Sequence, residues 1–322
     1  MGVNLRDIIP HRETSFEELR GKTIAVDALN TIYQFLSSIR QQDGTPLMDS
    51  AGNVTSHLTG LLYRTNNLLK MGIKPIYVFD GQAPELKRKT LRARRQAKEK
   101  ATEQMKKARE EGRMEDAFKY AKRTSRLTKD MIAESKTLLE LMGIPVIQAP
   151  SEGEAQCVHL CVNGQAWAVG SQDYDAMLFG APRLLKGLTL SGRLELAIIE
   201  LPQVLTDLGI SREQLVDLAI LVGTDFDPGV KGIGPKKALK AVKEGNVDDI
   251  EVDFDFNEVR SIFNEHPVET DYTIEYGGLD EKGLIELLCS GHDFSENRVK
   301  KTISDLRESF KEFSQKKLDD WF

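Results

Sequence analysis

Short apolar runs alternate along the chain with longer stretches whose apolar residues recur at helical spacing. TIAVD, PIYVFD, IPVIQAP and AWAVGS are such runs, whereas ALNTIYQFLSSIRQ places its apolar residues three or four positions apart. Uninterrupted apolar runs of this length are typical of buried strands, and the 3.6-residue period is typical of helices. Strands that alternate with helices predict an α/β fold with a Rossmann-like, doubly wound and mostly parallel sheet flanked by helices.

The same pattern places the remaining elements. TSHLTGLLYRTNNLLKMG is predicted to be a helix that Gly72 ends, and QQDGTPLMDSAGN before it a loop or short hairpin. RLLKG and ELAIIE are predicted to be strands, and residues 245–275 an acidic, irregular segment. The other predicted helices are MIAESKTLLELMG, the residues after SEGEA, PQVLTDLG, REQLVDLAILVG, PKKALKAVKEG, EKGLIELLCSG and NRVKKTISDLRESFKEF, after which SQKKLDDWF is predicted to be a free tail.

Composition narrows the class of protein. A chain of 322 residues with 40% hydrophobic content can bury a sizeable core. No apolar run approaches 18 residues, so we expect no membrane span. The amino-terminal residues are too polar for a secretory signal and no nuclear import signal is evident, which favours a cytoplasmic location. Three cysteines provide no plausible disulfide framework.

Positive charge is concentrated in one segment. Residues 84–130 carry 17 Lys and Arg against 8 Asp and Glu, although the whole chain has a net charge of −6. The segment has few large apolar residues, so it can form helices but no core, and Gly112 is a predicted break between two of them. A solvated, salt-bridged helical hairpin without a ligand is one interpretation. The excess of positive charge favours a second, a cationic surface that binds phosphate.

Acidic residues follow five of the apolar runs at or just beyond their ends. Because a parallel sheet gathers the carboxyl ends of its strands at one edge, these acids are predicted to converge. A cluster of carboxylates is repulsive without cations, and Mg²⁺ prefers oxygen ligands of this kind, which indicates metal-assisted chemistry on phosphate. An Asp after a strand can instead be a simple helix cap or turn residue. The acids are Asp27, Asp80, Glu152, Glu154, Asp173, Asp175 and Asp225.

The stretch VKGIGPKKALK combines glycines with the start of a helix. Gly232 and Gly234 allow the backbone to approach a ligand, and Pro235 suits the first helical turn. A helix amino terminus attracts anions, and Lys236 and Lys237 add charge there. We interpret the stretch as a helix–hairpin–helix element that binds a DNA phosphate without reading sequence; the alternative is an ordinary glycine-capped turn.

Several stretches together are similar to one family. The chain resembles a flap endonuclease of the archaeal and eukaryotic type, within the structure-specific 5′-nuclease superfamily. The resemblance spans Met1 to Phe322, and VFDGQAPELK and the pair SEGEA with QDYDA are its most specific parts. The matching stretches are VDALNTIYQFL, TSHLTGLLYRT, GIKPIYVFDGQAPELK, APSEGEAQC, SQDYDAMLFG, LVGTDFDPGVKGIGPKKA and QKKLDDWF.

The resemblance implies a PIN-like 5′-nuclease fold and a role for each motif. The seven acids fall on the family's positions for two Mg²⁺ ions, for which Mn²⁺ is expected to substitute, and a K⁺ ion is a further expectation at the hairpin. Lys87 and Arg94 are implied at the foot of a basic helical arch near the scissile phosphate. Tyr33 matches a position that stacks on a base, with core packing as the alternative; Arg64 matches a phosphate contact, and Gly2 a position near the active face.

The chain is expected to divide into three regions, and its sequence departs from the family in one loop. Residues 1–217 are expected to form the α/β nuclease core, with the arch at 84–130 inside it. Residues 218–300 are expected to form the helical, hairpin-containing (H3TH) DNA-binding region, and residues 301–322 a last helix with its tail. Relatives often carry an acidic cluster between the first two helices, near a pocket for a 3′ flap, but here MDSAGNV contains only Asp49.

The carboxyl-terminal tail has its own pattern. Leu318, Trp321 and Phe322 are spaced so that one helical turn projects them together, three and more residues after Gln315. An apolar anchor on a tail is buried only when a partner supplies a groove. The tail resembles the peptide with which replication proteins bind a PCNA-type sliding clamp; packing of Trp321 on the parent domain is the alternative.

The predicted function is that of a Mg²⁺-dependent 5′-flap endonuclease, with 5′–3′ exonuclease activity, that cuts branched double-stranded DNA in replication and repair. Another 5′-nuclease on the same scaffold, such as a gap or bubble endonuclease or a ribonuclease, remains an alternative. A non-catalytic adaptor that binds branched DNA and recruits the clamp is another. Replacing Asp173 separates the enzyme from the adaptor, because only the enzyme would lose a cleavage activity.

Overall fold

The structure is a computed structural model that describes residues 2–113, 116, 126–188 and 196–319. Side chains of residues 89, 91, 93–95, 98, 106, 109, 110 and 316–319 lie outside that description.

A seven-stranded sheet forms the centre of the described chain. Its strands are β1 (Arg12–Glu13), β2 (Thr23–Asp27), β3 (Lys74–Phe79), β4 (Val146–Gln148), β5 (Ala168–Gly170), β6 (Arg183–Lys186) and β7 (Ala197–Glu200). Their order in the sheet is β1-β7-β6-β5-β2-β3-β4. The five strands from β6 to β4 are parallel; β7 pairs antiparallel with β6, and β1 pairs antiparallel with β7. The predicted α/β fold with a mostly parallel sheet is therefore confirmed.

Helices cover both faces of this sheet. In chain order they are α1 (Ala28–Ser38), α2 (Ser56–Lys70), α3 (Lys87–Glu110), α4 (Lys129–Leu141), α5 (Gly153–Val162), α6 (Asp175–Leu178), α7 (Leu201–Leu208), α8 (Arg212–Val222), α9 (Pro235–Glu244), α10 (Phe256–Asn264), α11 (Glu281–Ile285) and α12 (Glu296–Asp319). A π-helical turn, Glu286–Ser290, continues α11.

The core has two halves, one on each face of the sheet. Successive residues of β2 show the division, because Ile24 and Val26 face one half while Ala25 faces the other. Helices α1, α2, α4 and α12 supply the first half, and α5 and α7–α10 supply the second. Both residues of β1 are exposed. Strand residues alternate between faces with a period of two, so the central strands β2, β3 and β5 are buried on both sides. Two-sided burial explains why these strands are continuous apolar runs in the sequence.

Two of the predicted elements were wrong. The segment 245–275 is not irregular throughout, because α10 forms within it; Asp255 caps that helix, and Val259 and Phe263 are buried one turn apart. The predicted free tail also begins too early, since α12 continues through Asp319 and only residues 320–322 lie outside the description. Lys316 and Lys317 are good helix formers, and nothing in their sequence ends the helix.

The expected boundary at residue 217 falls inside α8, so this helix spans the first two predicted regions. Helix α8 packs against both α9 and α10, and its apolar residues belong to the core. No helix within the described residues is both long enough and apolar enough to cross a membrane.

Candidate active site

The predicted acids lie at one edge of the sheet, where the parallel strands end. Asp27 is the last residue of β2, and Asp80 follows β3 directly. Glu152 and Glu154 stand at the start of α5, just beyond β4, and the turn after β5 carries Asp173 and Asp175. Asp225 reaches the same place from the end of α8. The structure thus brings together all seven carboxylates.

Local hydrogen bonds orient these side chains. Asp27 caps α1 by accepting from the backbone N–H of Asn30 at 3.0 Å, so the helix-cap interpretation holds for this residue as well. The side-chain amide of Asn30 donates to Asp173 at 3.0 Å. Asp80 accepts from the backbone N–H of Gly153 at 2.9 Å, where the amino terminus of α5 stabilises negative charge. Helix starts therefore hold the carboxylates in place without neutralising them.

Burial and mutual repulsion raise the pKa values of the acids. Burial raises the pKa of Asp27 to about 8, and the negative charges of Asp80 and Asp173 add to the rise. Burial likewise raises the pKa of Asp175 to about 7, helped by the charge of Asp225. The pKa of Glu154 is raised well above its ordinary value for the same two reasons. Such a cluster favours a nearby cation, because a positive charge removes the repulsion that protons otherwise relieve.

Lys87 is the cation that the structure itself places in the cluster. Its ammonium Nζ lies 2.5 Å from Glu152 Oε2 and 4.0 Å from Asp225 Oδ2, and only 14% of its side chain is exposed. It also lies over the ring of Phe226. Burial alone would lower the pKa of Lys87, but the neighbouring carboxylates, led by Glu152, outweigh burial and raise it. Lys87 therefore stays charged at the centre of the site.

The donor set suits hard divalent cations. All seven side chains offer carboxylate oxygens, which Mg²⁺ and Mn²⁺ prefer, and four of them are nine-tenths or more buried. Within the described residues, no three His, Cys, Asp or Glu side chains are yet grouped closely enough to enclose an ion. The ammonium of Lys87 lies among the carboxylates instead, in a position where positive charge is favourable.

The raised pKa values predict an unusual pH dependence of stability. In EDTA, folded Asp27 and Asp175 keep protons up to about pH 7–8, whereas unfolded Asp loses them near pH 3.9. The folded state thus binds more protons, and the free energy of unfolding falls as pH rises, by about 1 kcal/mol per unit for each group. We expect Tm in EDTA to fall by a few degrees between about pH 7 and 8.5. Asp27→Asn should flatten the fall; an equally steep fall in that variant would contradict the assignment.

The amino terminus crosses the same edge. The backbone N–H of Val3 donates to Asp175 at 2.8 Å. A Cβ built on Gly2 would lie 2.3 Å from the Asp175 carboxylate, so only glycine fits there without a shift. The structure therefore places Gly2 beside the acid cluster, as the sequence comparison implied.

Tyr33 and Arg64 lie on the first two helices, away from the acids. The Tyr33 side chain is 39% exposed on α1, so core packing does not explain it. Arg64 is half-buried on α2. The two helices pack against each other, which puts both residues on the half of the molecule next to Asp27.

Helix α3 is the described part of the basic segment. It begins at Lys87, and Arg94 lies seven residues further along the same helix, although the Arg94 side chain is outside the described residues. Gly112 has a φ of 71°, which suits glycine at the end of a helix. The second helix predicted for this segment falls on residues 114–125, which apart from Asp116 lie outside the description.

The hairpin joins α8 to α9. Gly232 has a φ of 83°, Gly234 is the residue before α9, and a Cβ on either glycine would meet nothing within 4 Å. No acid lies in the first turn of α9. Lys236 and Lys237 are exposed there, and Lys237 donates to the carbonyl of Gly232 at 2.9 Å. The hairpin is therefore an open, positively charged helix amino terminus.

The tail residues are only partly described. Gln315 is exposed on α12, whereas the side chain of Leu318 and all of Trp321 and Phe322 lie outside the description. Just before them, Phe313 packs against Tyr276 and Phe310, with Lys74 over its ring.

Three further residues around the acids were not predicted from the sequence. Asn30 holds Asp173, and its position three residues after an N-cap acid was an available signal. Ser171 donates to Glu154 at 3.3 Å and accepts from the Asp173 backbone N–H at 3.2 Å. Lys186, at the end of β6, lies 3.6 Å from the centre of the Tyr174 ring, and no sequence motif marked it.

Comparison with known proteins places the chain in a family. Residues 1–101 match the XPG N-terminal domain and residues 143–225 the XPG I-region. The flap endonuclease 1 of Pyrococcus furiosus is 49% identical over all of this chain and 99% of its own length. The solved flap endonuclease-1 from Methanococcus jannaschii is 46% identical, with a TM-score of 0.81 over 96% of this chain and 98% of its own. The catalytic core of Rad2 in complex with a DNA substrate is 28% identical, with a TM-score of 0.74 over 95% of this chain and all of its own.

Similarity at this level extends over the full length of the chain, and the two matched domains contain all seven acids of the cluster. The protein therefore belongs to the flap endonuclease family, a family of DNA-binding nucleases of replication and repair.

Proposed function

We propose that the protein is a structure-specific 5′-flap endonuclease, with 5′–3′ exonuclease activity, that hydrolyses branched DNA with two Mg²⁺ ions. One observation carries the proposal: buried, mutually repelling carboxylates from five parts of the chain converge around Lys87. A fold keeps such a costly arrangement when a ligand neutralises it. The products would be a 5′-phosphate and a 3′-hydroxyl.

The carboxylates would hold the ions. Their charges act on one another: Asp27 is close to Asp80 and Asp173, and Glu154 to Asp27, Asp173 and Asp175. Asp225 is near Glu152 and Asp175. Bound there, a pair of Mg²⁺ ions would lower the pKa of a bound water molecule and neutralise the negative charge that develops on the leaving oxygen. Mn²⁺ has similar oxygen preferences and would substitute.

The protein's own residues do the positioning. Lys87 already points into the cluster, so its ammonium would neutralise charge that develops on the scissile phosphate. Arg94 lies two helical turns further along α3 and would extend the same cationic surface. Asn30 and Ser171 keep Asp173 and Glu154 in fixed orientations, which lowers the reorganisation needed when substrate binds. Gly2 leaves room for the amino terminus beside Asp175.

Duplex DNA would dock on the hairpin. The open amino terminus of α9, with Lys236 and Lys237, is suited to a backbone phosphate and reads no bases. A K⁺ ion between the hairpin and that phosphate is part of the proposal. At the other end of the site, exposed Tyr33 would stack on a displaced base, and Arg64 would contact phosphate. The 5′ strand would pass through or beside the basic segment.

Removing charge from the hairpin should weaken binding without abolishing chemistry. We expect the double variant Lys236→Ala with Lys237→Ala to bind flap DNA more weakly. The slope of log K against the logarithm of the salt concentration should also become shallower, by about one to two. The single-turnover rate at saturating protein should change less than about threefold. Fluorescence anisotropy across a salt series measures both quantities. Lys243→Ala, near the other end of α9, is a matched control, and an effect as large there would contradict the hairpin assignment.

The proposal is tested by cleavage of a 5′-flap oligonucleotide in Mg²⁺, with EDTA as control. Flap, nicked, bubble and RNA substrates assayed side by side separate the flap enzyme from other 5′-nucleases. We expect cleavage near the junction of the flap substrate, and none in EDTA. Wild-type protein that binds flaps but cuts no substrate in Mg²⁺ would support a non-catalytic adaptor instead.

We also propose that Gln315, Leu318, Trp321 and Phe322 bind a PCNA-type sliding clamp. The support is the apolar spacing of the tail and the packing of Phe313 against Tyr276 and Lys74, which fixes α12 on the body just before the tail. Trp321→Ala with Phe322→Ala should reduce clamp affinity at least tenfold and leave clamp-independent flap cleavage unchanged, since hot-spot aromatics carry such interfaces. Titration calorimetry with the clamp measures the first effect; retained affinity would contradict the proposal.

A further inference from the structure

Four ionisable side chains outside the acid cluster form one connected chain of contacts. His292 Nδ1 lies 2.9 Å from Asp49 Oδ2, and His292 Nε2 lies 3.5 Å from Glu134 Oε1. The other oxygen of Glu134 is 3.1 Å from His57 Nε2. The chain thus joins the loop between α1 and α2, the helix α4, the helix α2 and the segment before α12.

Three of these groups are buried at a cost, whereas the fourth, Glu134, is 32% exposed. The exposed side-chain fraction is 2% for Asp49, 9% for His292 and 0% for His57. Burial lowers the pKa of His57 more than Glu134 raises it, so the ring is neutral. With its one proton on Nε2 facing Glu134, its buried Nδ1 has no hydrogen-bond partner within the described structure. Buried polar groups are normally satisfied, so a network with this cost calls for an explanation.

A second pair of contacts fixes the same loop. The backbone N–H of Ser50 donates to Asp293 Oδ2 at 2.7 Å. Asp293 has a φ of 58°, the only positive value among the described residues other than glycine. A strained backbone of this kind persists only where its surroundings hold it. We call Asp49, Ser50, His292 and Asp293 the loop clasp.

Asp49 also closes the loop on itself. It accepts from the backbone and side-chain nitrogens of Asn53 at 2.7 and 2.9 Å. Burial alone would raise the pKa of Asp49, but the hydrogen bonds from Asn53 and His292 outweigh it and lower the pKa to about 2. The single acid of MDSAGNV is therefore used inside the protein. It does not present a free carboxylate to a ligand, as an acidic cluster in this loop would.

The position of the loop relates it to the proposed substrate. Helix α1 starts beside Asp27 and ends where the loop begins, 11 residues later, which is about 16 Å at 1.5 Å per residue. Exposed Tyr33 lies between these ends, and the loop leads into α2, which carries Arg64. DNA that extends from the acids past Tyr33 would reach the loop within about five nucleotide steps of 3.4 Å.

We infer that the loop clasp holds residues 41–53 in their DNA-docking position before substrate arrives. His292 and Asp293 are then positioning residues, which act on the substrate through the loop. The inference rests on the proposed function, because it takes branched DNA as the ligand. If loss of the clasp leaves about one molecule in five with the loop in place, the apparent Kd rises about fivefold.

Two matched pairs of variants test the inference. Asp293→Gly tolerates the positive φ but removes the carboxylate, whereas Asp293→Asn keeps an acceptor and tolerates the same backbone. His292→Ala removes both ring nitrogens, whereas His292→Asn keeps a donor that can reach Asp49. We expect Asp293→Gly and His292→Ala to raise Kd and KM for a 5′-flap duplex about fivefold, with kcat within twofold. The Asn variants should stay near wild type.

Binding is measured by anisotropy in EDTA, so the test does not depend on cleavage. Amide hydrogen exchange should accelerate at residues 47–53 in the Gly and Ala variants and stay unchanged in α1 and α2. Unchanged Kd despite faster loop exchange would overturn the inference, and so would unchanged exchange. A fall in kcat at constant KM would also overturn it. Wild-type protein that binds flaps and cuts none would defeat the proposed function, while the Kd comparison would still decide the role of the clasp.

Discussion

Replacing Asp173 by Asn should lower the rate of flap cleavage by about 10³-fold or more, with affinity for flap DNA within about threefold of wild type. The negative charge of Asp173 acts on both Asp27 and Glu154, so it is coupled to acids from different strands. Asn is nearly isosteric and can still accept from Asn30, so the local geometry should survive. The substitution removes one negatively charged ligand of a divalent cation.

Single-turnover cleavage of a labelled 5′-flap substrate, with anisotropy for binding, measures the two quantities separately. Asp253→Asn is a matched control, because Asp253 is an exposed acid in the loop before α10. Cleavage by Asp173→Asn within about tenfold of wild type would show that the carboxylate is not needed for the reaction.

Replacing Lys87 by Met should reduce the single-turnover rate by about 10²–10³-fold, the effect of removing one preorganised charge from a water-poor site. Met keeps most of the side-chain volume but loses the charge and the hydrogen bond to Glu152. The ammonium is already in place, 2.5 Å from Glu152 and largely buried, so little reorganisation precedes its use. Because DNA binding depends mainly on the wider cationic surface, flap affinity should fall much less than the rate.

Lys100→Met serves as control, since Lys100 is exposed on the same helix. Thermal unfolding of both variants in EDTA checks that the site remains folded. Equal losses of rate in the two variants would indicate a general electrostatic effect of α3. A rate for Lys87→Met within about threefold of wild type would contradict a role at the scissile phosphate.

The location of the site was predictable because parallel strands impose it. Asp27 and Asp80 follow apolar runs that are buried on both faces, and such strands place their carboxyl ends at one edge. The convergence therefore followed from strand periodicity and from the position of each acid in its run. Asp225 was correctly grouped with them, although the apolar run before it is the helix α8 and not a strand.

Contacts between residues that are far apart in the sequence could not be predicted from it. Lys87 and Glu152 are 65 residues apart, and their contact depends on how the first turn of α3 lies over the start of α5. The Asp49–His292 contact spans 243 residues, and no local pattern encodes it. Helix α10 was missed for a different reason: its acidic composition suggested a loop, although Val259 and Phe263 have helical spacing. In that segment the spacing of the apolar residues predicts the secondary structure better than the charge composition does.

Two divalent cations should bind between the converging carboxylates, and anomalous scattering from crystals soaked in Mn²⁺ detects them. We expect two peaks about 3.5–4 Å apart, enclosed by the seven acids, and the loss of at least one in Asp173→Asn. Crystals that bind Mn²⁺ elsewhere but show no peak between Asp27, Asp80 and Asp173 would contradict this expectation.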